Sequence, residues 1–167
     1  AFLESKNIPH RVFDSTFSTE RHFQEYVLST KPKLIAFYTN LMTKLSVLKL
    51  IAFIKQQADL KTCKIILGGP EIRYNAENYL RSGADMLVVG EGEHTFYELC
   101  QAYLNSGVLP ETIDGTAYLM EDKLVFTKER ELIKDINTLP MPARKKIDLS
   151  LYGTTWKKHH GYSMYSL

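Results

Sequence analysis

The sequence predicts an α/β fold, a parallel sheet with helices on both faces, followed by a β-hairpin and an extended linker. Three observations carry this. Ile65-Ile66-Leu67 is an unbroken apolar run of the kind a strand buried on both faces requires, and it stops at Gly68-Gly69-Pro70. Met86-Leu87-Val88-Val89 repeats the pattern and stops at Gly90-Glu91-Gly92. Between them residues 75–82 read as a short helix, and Gly83 suits the left-handed position that ends a helix before the next strand. Strand, glycine loop and helix in repetition is the rhythm of βαβ units, whose ligands sit beyond the carboxyl ends of the strands.

The remaining elements follow in order. Residues 1–5 read as the last turn of a helix that Asn7 and Pro9 terminate, so the chain is expected to start inside an element, with a first strand upstream of Ala1. His10-Arg11-Val12-Phe13-Asp14 alternates enough to be a short edge strand. Ser18-Thr19-Glu20-Arg21 offers an N-cap, Phe23, Val27 and Leu28 supply an apolar stripe, and Lys31-Pro32-Lys33 ends that helix. Leu34-Ile35-Ala36-Phe37-Tyr38 is the next buried strand. A polar loop with Thr43 as N-cap then opens a long helix, with Leu45, Leu48, Ile51, Ala52 and Ile54 on its apolar face. The helix after Gly92 runs through Tyr103 and Leu104 to the stop Asn105-Ser106-Gly107. Thr116-Ala117-Tyr118-Leu119-Met120 and Leu124-Val125-Phe126-Thr127 read as a hairpin whose turn, Glu121-Asp122-Lys123, lacks the favoured Asn-Gly or Asp-Gly. Pro140 and Pro142 make the stretch from Ile136 to Arg144 extended, and residues 161–167 read as a strand cut short.

A chain of 167 residues is long enough for one domain with an appendage. The net charge of +2 is spread without a sustained basic tract, so neither nucleic acid nor an anionic membrane is expected as a partner. No apolar run approaches the ~20 residues of a membrane span and no signal-peptide pattern opens the chain, which gives a cytoplasmic expectation. Cys63 and Cys100 match no metal-ligand spacing and read as small buried apolar groups.

Three stretches together, Leu67-Gly68-Gly69-Pro70-Glu71, the run from Gly83 to Phe96, and Ile136-Asn137-Thr138-Leu139-Pro140-Met141-Pro142-Ala143-Arg144, resemble the N-terminal cobalamin-binding domain of radical S-adenosylmethionine proteins. The anaerobic magnesium-protoporphyrin IX monomethyl ester cyclases are one branch of these. The resemblance implies a Rossmann- or flavodoxin-like sheet whose first strand lies upstream. It divides the chain into a cobalamin-binding-like α/β domain over 1–109, a hairpin over 110–134, and over 135–167 a linker with the start of a radical domain. The 4Fe-4S cluster and S-adenosylmethionine would belong to that further domain, as would the choice among methyl transfer, oxidation and oxidative cyclisation; this segment is not expected to catalyse alone.

For the cofactor the resemblance implies that Gly68, Gly69 and Pro70, with Glu71, flank the nucleotide tail. Gly90, Glu91 and Gly92, with Glu93 and Thr95, would line the far side, and Tyr38, Thr39, Asn40, Leu41, Met42 and Thr43 would approach the corrin edge. Glycine lets backbone approach a ligand closely, and free N–H groups at helix starts favour phosphate and amide oxygens. Taken alone, Glu91 and Glu93 are explained by the helix dipole and capping rather than by acid-base or metal chemistry. The Asp-x-His-x-x-Gly motif that supplies a cobalt-ligating histidine in methionine-synthase-type domains does not occur, and His10, His22, His94, His159 and His160 have no matching context. If cobalamin binds, no protein histidine on cobalt is expected. A cofactor-free scaffold of the same fold is the alternative. A receiver domain would want aspartate where Tyr38-Thr39 stands, and a dinucleotide site would want a third glycine at Thr95.

Overall fold

Three apolar runs form the parallel strands on which everything else packs. The computed structural model describes residues 1–162. A short helix, α1 (Phe2–Ser5), is followed by α2 (Glu20–Thr30), β1 (Leu34–Tyr38), α3 (Lys44–Gln56), β2 (Lys64–Gly68), α4 (Ala76–Arg81), β3 (Met86–Val88) and α5 (Gly92–Ser106). A hairpin of β4 (Thr116–Met120) and β5 (Lys123–Phe126) comes next, and α6 (Leu149–His160) is the last helix among the described residues. The sheet has five strands in the order β1-β2-β3-β4-β5; β1, β2 and β3 are parallel, and β4 joins β3 antiparallel. The result is a mixed sheet with a parallel core, a Rossmann- or flavodoxin-like arrangement.

Alternation along the strands separates two cores. Ile65 and Leu67 face a layer that holds Phe23 and Val27 of α2, Val47, Ile51 and Ile54 of α3, and Tyr79 and Leu80 of α4. Ile66, Met86 and Val88 face the other side with Leu99 of α5 and Tyr118 of β4. Helices α3 and α4 share one face because neighbouring parallel strands added in one direction, with crossovers of one hand, return their helices to the same side.

Four local expectations change. His10 to Asp14 forms no strand: it pairs with nothing, and an open groove of about 1510 Å³ lies between this segment, α2 and β1. A strand without a neighbour has no ladder to hold it. The turn into α3 is organised by Asn40 rather than Thr43. Its Oδ1 accepts from Met42 N and Thr43 N, both at 3.0 Å, while Asn40 N donates to Thr43 Oγ1 at 3.1 Å. The hairpin turn is two residues, Glu121 and Asp122, both at positive φ (48° and 62°), the geometry that matches strand twist. Finally, a helix that the sequence reading did not place, α6, follows the proline-containing stretch at 136–144. Asp148 caps it, accepting from Leu151 N at 3.0 Å, and Gly161 ends it at φ 77°. The strand read over 161–167 falls mostly on residues outside those described; Gly161 itself is the helix cap.

Candidate functional site

The carboxyl ends of β1, β2 and β3 lie side by side, and the loops that leave them form one face. Gly68 of β2 is in register with Tyr38 on one side and Val88 on the other, so the Gly-Gly-Pro loop is the central one. Thr39 N donates to Gly68 O at 2.7 Å, which closes the first loop on the second. Gly69 sits at φ 124°, and a Cβ there would lie 2.1 Å from the carbonyl oxygen of Thr39. Only glycine permits this approach. Gly68 and Gly92 are not constrained in that way: a Cβ at either would make an ordinary contact with Val88.

Thr39 is fully buried, and its Oγ1 has no hydrogen-bond partner among the described residues. A buried hydroxyl in that state costs free energy, so it stands out beside the tight backbone contact. Around it the loops present large apolar side chains to solvent: Tyr38 is 69% and Met42 88% exposed, and Leu41 and Tyr74 are exposed too. Glu71 is turned inward and ties two helix starts together. Its carboxylate accepts from Asn75 Nδ2 at 2.8 Å and pairs with Lys44 Nζ at 3.2 Å.

The third loop is built differently. Val89 N donates to Gly115 O at 2.8 Å, so the loop hangs on the start of β4. The Glu91 carboxylate accepts from Ile133 N at 2.6 Å, and Glu93 is exposed. Thr95 is fully buried and its hydroxyl is used twice, donating to Asp114 O at 3.1 Å and accepting from Arg130 Nε at 2.7 Å. The structure therefore brings Tyr38, Thr39, Gly68, Gly69 and Glu71 into one contact network. It sets Gly90 and Gly92 on the adjacent strand end, and engages Glu91 and Thr95 with residues beyond the hairpin. Arg130, Lys44, Asn75 and Tyr74 went unread in the sequence. Tyr74, an exposed aromatic beyond a glycine loop, carried a signal; the other three carry none outside the fold.

Among the described residues no group of three or more His, Cys, Asp or Glu is placed to hold a metal ion, and no helix is long and apolar enough to cross a membrane. His22 Nδ1 is paired with Ser18 Oγ, and the His94 ring, in the first turn of α5, packs against Phe2. Burial pushes the thiols of Cys63 and Cys100 up to about 11. Roughly one thiol in a thousand is then ionised at pH 8, far too few for a nucleophile or a ligand. Accordingly, a disulfide reagent such as dithionitrobenzoate is expected to leave both cysteines of the folded protein unmodified at pH 8 and to titrate both once the chain is denatured. Prompt labelling of either in the native state would contradict their burial.

Comparison with known proteins matches residues 1–100 to the family model described as the B12 binding domain. No curated protein matches the chain significantly. Among solved structures, it is similar to the cobalamin-dependent S-adenosylmethionine radical enzyme OxsB with aqua-cobalamin and S-adenosylmethionine bound. The TM-score is 0.58 at 16% identity, over 68% of this chain and 16% of that one. It is also similar to the radical S-adenosylmethionine methyltransferase TsrM from Kitasatospora setae, with tryptophan and a S-adenosylmethionine analogue bound. There the TM-score is 0.61 at 20% identity, over 76% of this chain and 25% of that one. The chain thus spans a quarter or less of the structures it matches.

Proposed function

The chain belongs to the B12-binding domain family, and from that premise we propose that it holds cobalamin for a radical S-adenosylmethionine enzyme. The observation that carries this is the junction of the first two loops, where Gly69 leaves no room for a side chain and the buried Thr39 hydroxyl has no partner. Such a junction is closed and locks the first two loops side by side, which would fix the surface along which a ligand with a long amide- and phosphate-bearing tail could lie. Thr39, Gly68, Gly69 and Pro70 would hold the tail, with Gly90 and Gly92 on the far side. The exposed Tyr38, Leu41 and Met42 would cover the corrin edge, removing large apolar surface from water.

When bound, cobalamin supplies a cobalt centre able to carry a methyl group or an electron. The chain's own residues position and exclude water. The Asn40 turn fixes the first loop, Glu71 braces the second against α3 through Lys44, and Val89 and Glu91 anchor the third to the hairpin. The 4Fe-4S cluster and S-adenosylmethionine would sit in a partner radical domain, which would set the reaction: methyl transfer, oxidation, or an oxidative cyclisation of the magnesium-protoporphyrin ester type.

Full-length protein mixed with hydroxocobalamin and desalted is expected to retain a corrin absorption band in near-stoichiometric amount. Loss of the band at micromolar protein would count against cofactor binding and assign the fold to a scaffold role.

A further inference from the structure

We propose that Arg130 is the positioning residue of the third loop, clamping the strap that leaves the hairpin across the first turns of α5 and thereby setting the backbone of Val89, Gly90, Glu91 and Gly92. The part of this that concerns cofactor rests on the cobalamin reading; the clamp itself stands on geometry. Arg130 Nε donates to Thr95 Oγ1 at 2.7 Å and to Asp114 O at 3.3 Å, and its Nη2 donates to the Glu98 carboxylate. One guanidinium, its side chain 23% exposed, thus joins α5 at two successive turns to the residue that precedes Gly115. A planar fork can do this where a point charge cannot.

Gly115 is the hinge pin beneath that clamp. It lies at φ 77°, and a Cβ there would come within 3.0 Å of Thr95 Oγ1 and 3.3 Å of Val89 O. Its carbonyl receives Val89 N and its own N–H donates to Lys128 O, each at 2.8 Å, so the loop, the hairpin start and the strap share one short hydrogen-bonded path. Three residues past Arg130, Ile133 N closes on Glu91 at 2.6 Å. The outer side of the loop has no comparable support, since a Cβ on Gly90 would meet nothing within 4 Å. Gly90 at φ 88° is therefore held from behind, through Val89 and Glu91, and Arg130, beside the more exposed Arg73–Glu129 pair, is the part-buried side chain that keeps the strap against both.

A displacement of the strap would pass to the loop along the same path. Residues beyond the strap lead through the proline-containing stretch to α6, which places the clamp between the cofactor loops and whatever lies past that helix.

Three variants test this in the cofactor-free protein and with hydroxocobalamin. Arg130→Met removes every donor, and Arg130→Lys keeps the charge but not the fork. Arg81→Met cuts another tether of the same hairpin, the Arg81 contacts to Glu77 and Asp122 O, without touching the loop. Hydrogen exchange at Val89, whose N–H is held by Gly115 O, and at Ile133, whose N–H is held by Glu91, is expected to accelerate about 10-fold or more in Arg130→Met, roughly 3-fold in Arg130→Lys, and by less than about 2-fold in Arg81→Met. The hydroxocobalamin dissociation constant is expected to rise in the same order. Unchanged exchange at the loop in folded Arg130→Met, or equal acceleration in Arg81→Met, would overturn the clamp. Should Arg130→Met fail to fold, loop exchange in Arg130→Lys equal to wild type overturns it and selective acceleration upholds it. If wild type retains no hydroxocobalamin, the cobalamin reading fails while the exchange data still decide the role of Arg130.

Discussion

Gly69→Ala is expected to lower the thermal midpoint by roughly 4–24 °C and to abolish hydroxocobalamin retention even at temperatures where the variant remains folded. The added Cβ would sit 2.1 Å from Thr39 O, 3.0 Å from its carbonyl carbon and 3.1 Å from its nitrogen. All three are backbone atoms, so no rotamer change can make room. Either the end of β1 or the Gly-Gly-Pro loop must move, and both are joined at that point by the 2.7 Å bond from Thr39 N to Gly68 O. A side chain at φ 124° adds conformational strain to the collision. Strain of about 1–3 kcal/mol and overpacking of about 1–3 kcal/mol together give about 2–6 kcal/mol. Gly90→Ala is the matched control: it also carries positive φ, but its Cβ would meet open space, so about 1 kcal/mol is expected. Circular-dichroism melts of the two variants with a desalting assay for bound corrin check both halves. Equal midpoints would mean that the contact with Thr39 does not constrain the loop.

The contrast between these two glycines also marks what the sequence could convey. The strands at 64–68 and 86–88 were legible because each carries an apolar run that is buried and leads to glycine, whereas Leu34–Tyr38, expected as a buried strand from the same kind of run, stands at the edge of the described sheet with no residue fully buried. His10 to Asp14 carries the same alternation yet forms no strand, because a ladder depends on a neighbour that no local pattern reveals. The turn at Glu121-Asp122 runs the other way: Glu121 is poor at positive φ although Asp122 tolerates it, and the pairing of β4 with β5 and of β4 with β3 imposes it. Helix α6 was hidden behind Pro140 and Pro142 and by Gly153 and two threonines in its middle, although Asp148 and Gly161 were proper caps for it.

At the site, the loops were readable as backbone features and their side chains were not. Glycine reports conformation wherever it stands, and Gly69 and Gly90 both lie at positive φ in the loops that leave β2 and β3. Glu91, by contrast, reads as a capping carboxylate and Thr95 as a residue lining the tail, whereas the Glu91 side chain makes no cap hydrogen bond. Their partners, Ile133 and Arg130, lie 42 and 35 residues further on and are brought back only by the hairpin. Spacing within a motif holds no record of such a return.

At the opposite end of the sheet, Asp85→Ala is expected to cost about 2–3 kcal/mol, and the cost is expected to depend on pH in one direction. Asp85 precedes β3, and its carboxylate receives Lys55 Nζ of α3 at 2.8 Å, Lys64 Nζ of β2 at 3.0 Å and Ile65 N at 2.9 Å. One side chain, 19% exposed, therefore ties three elements together, and its removal strands the N–H of a fully buried residue beside two cations. The lysines are about a third exposed, which lets water screen them and keeps the figure below that of a dry ion pair. Burial by itself would raise this carboxyl, but the hydrogen bonds from Lys55, Ile65 N and Lys64 outweigh it and hold the group below its usual value of 3.8. A depressed folded value means that the unfolded chain takes up the proton first. The stabilisation is therefore complete above the unfolded carboxylate range and is lost as pH falls through the folded value. Melts of wild type and Asp85→Ala should differ by roughly 4–12 °C and by the same amount at pH 5 and pH 7, with the gap narrowing as pH falls below the ordinary carboxylate range. Asp85→Asn, which can still accept from Ile65 N, should recover part of the loss at pH 7. Because Asp85 lies at the ends of the strands remote from the glycine loops, either variant should keep corrin retention at low temperature, where Gly69→Ala loses it. A gap that persists unchanged at pH 2 would show that the carboxylate's charge contributes nothing, and that Asp85 acts only by filling its place beside Ile65.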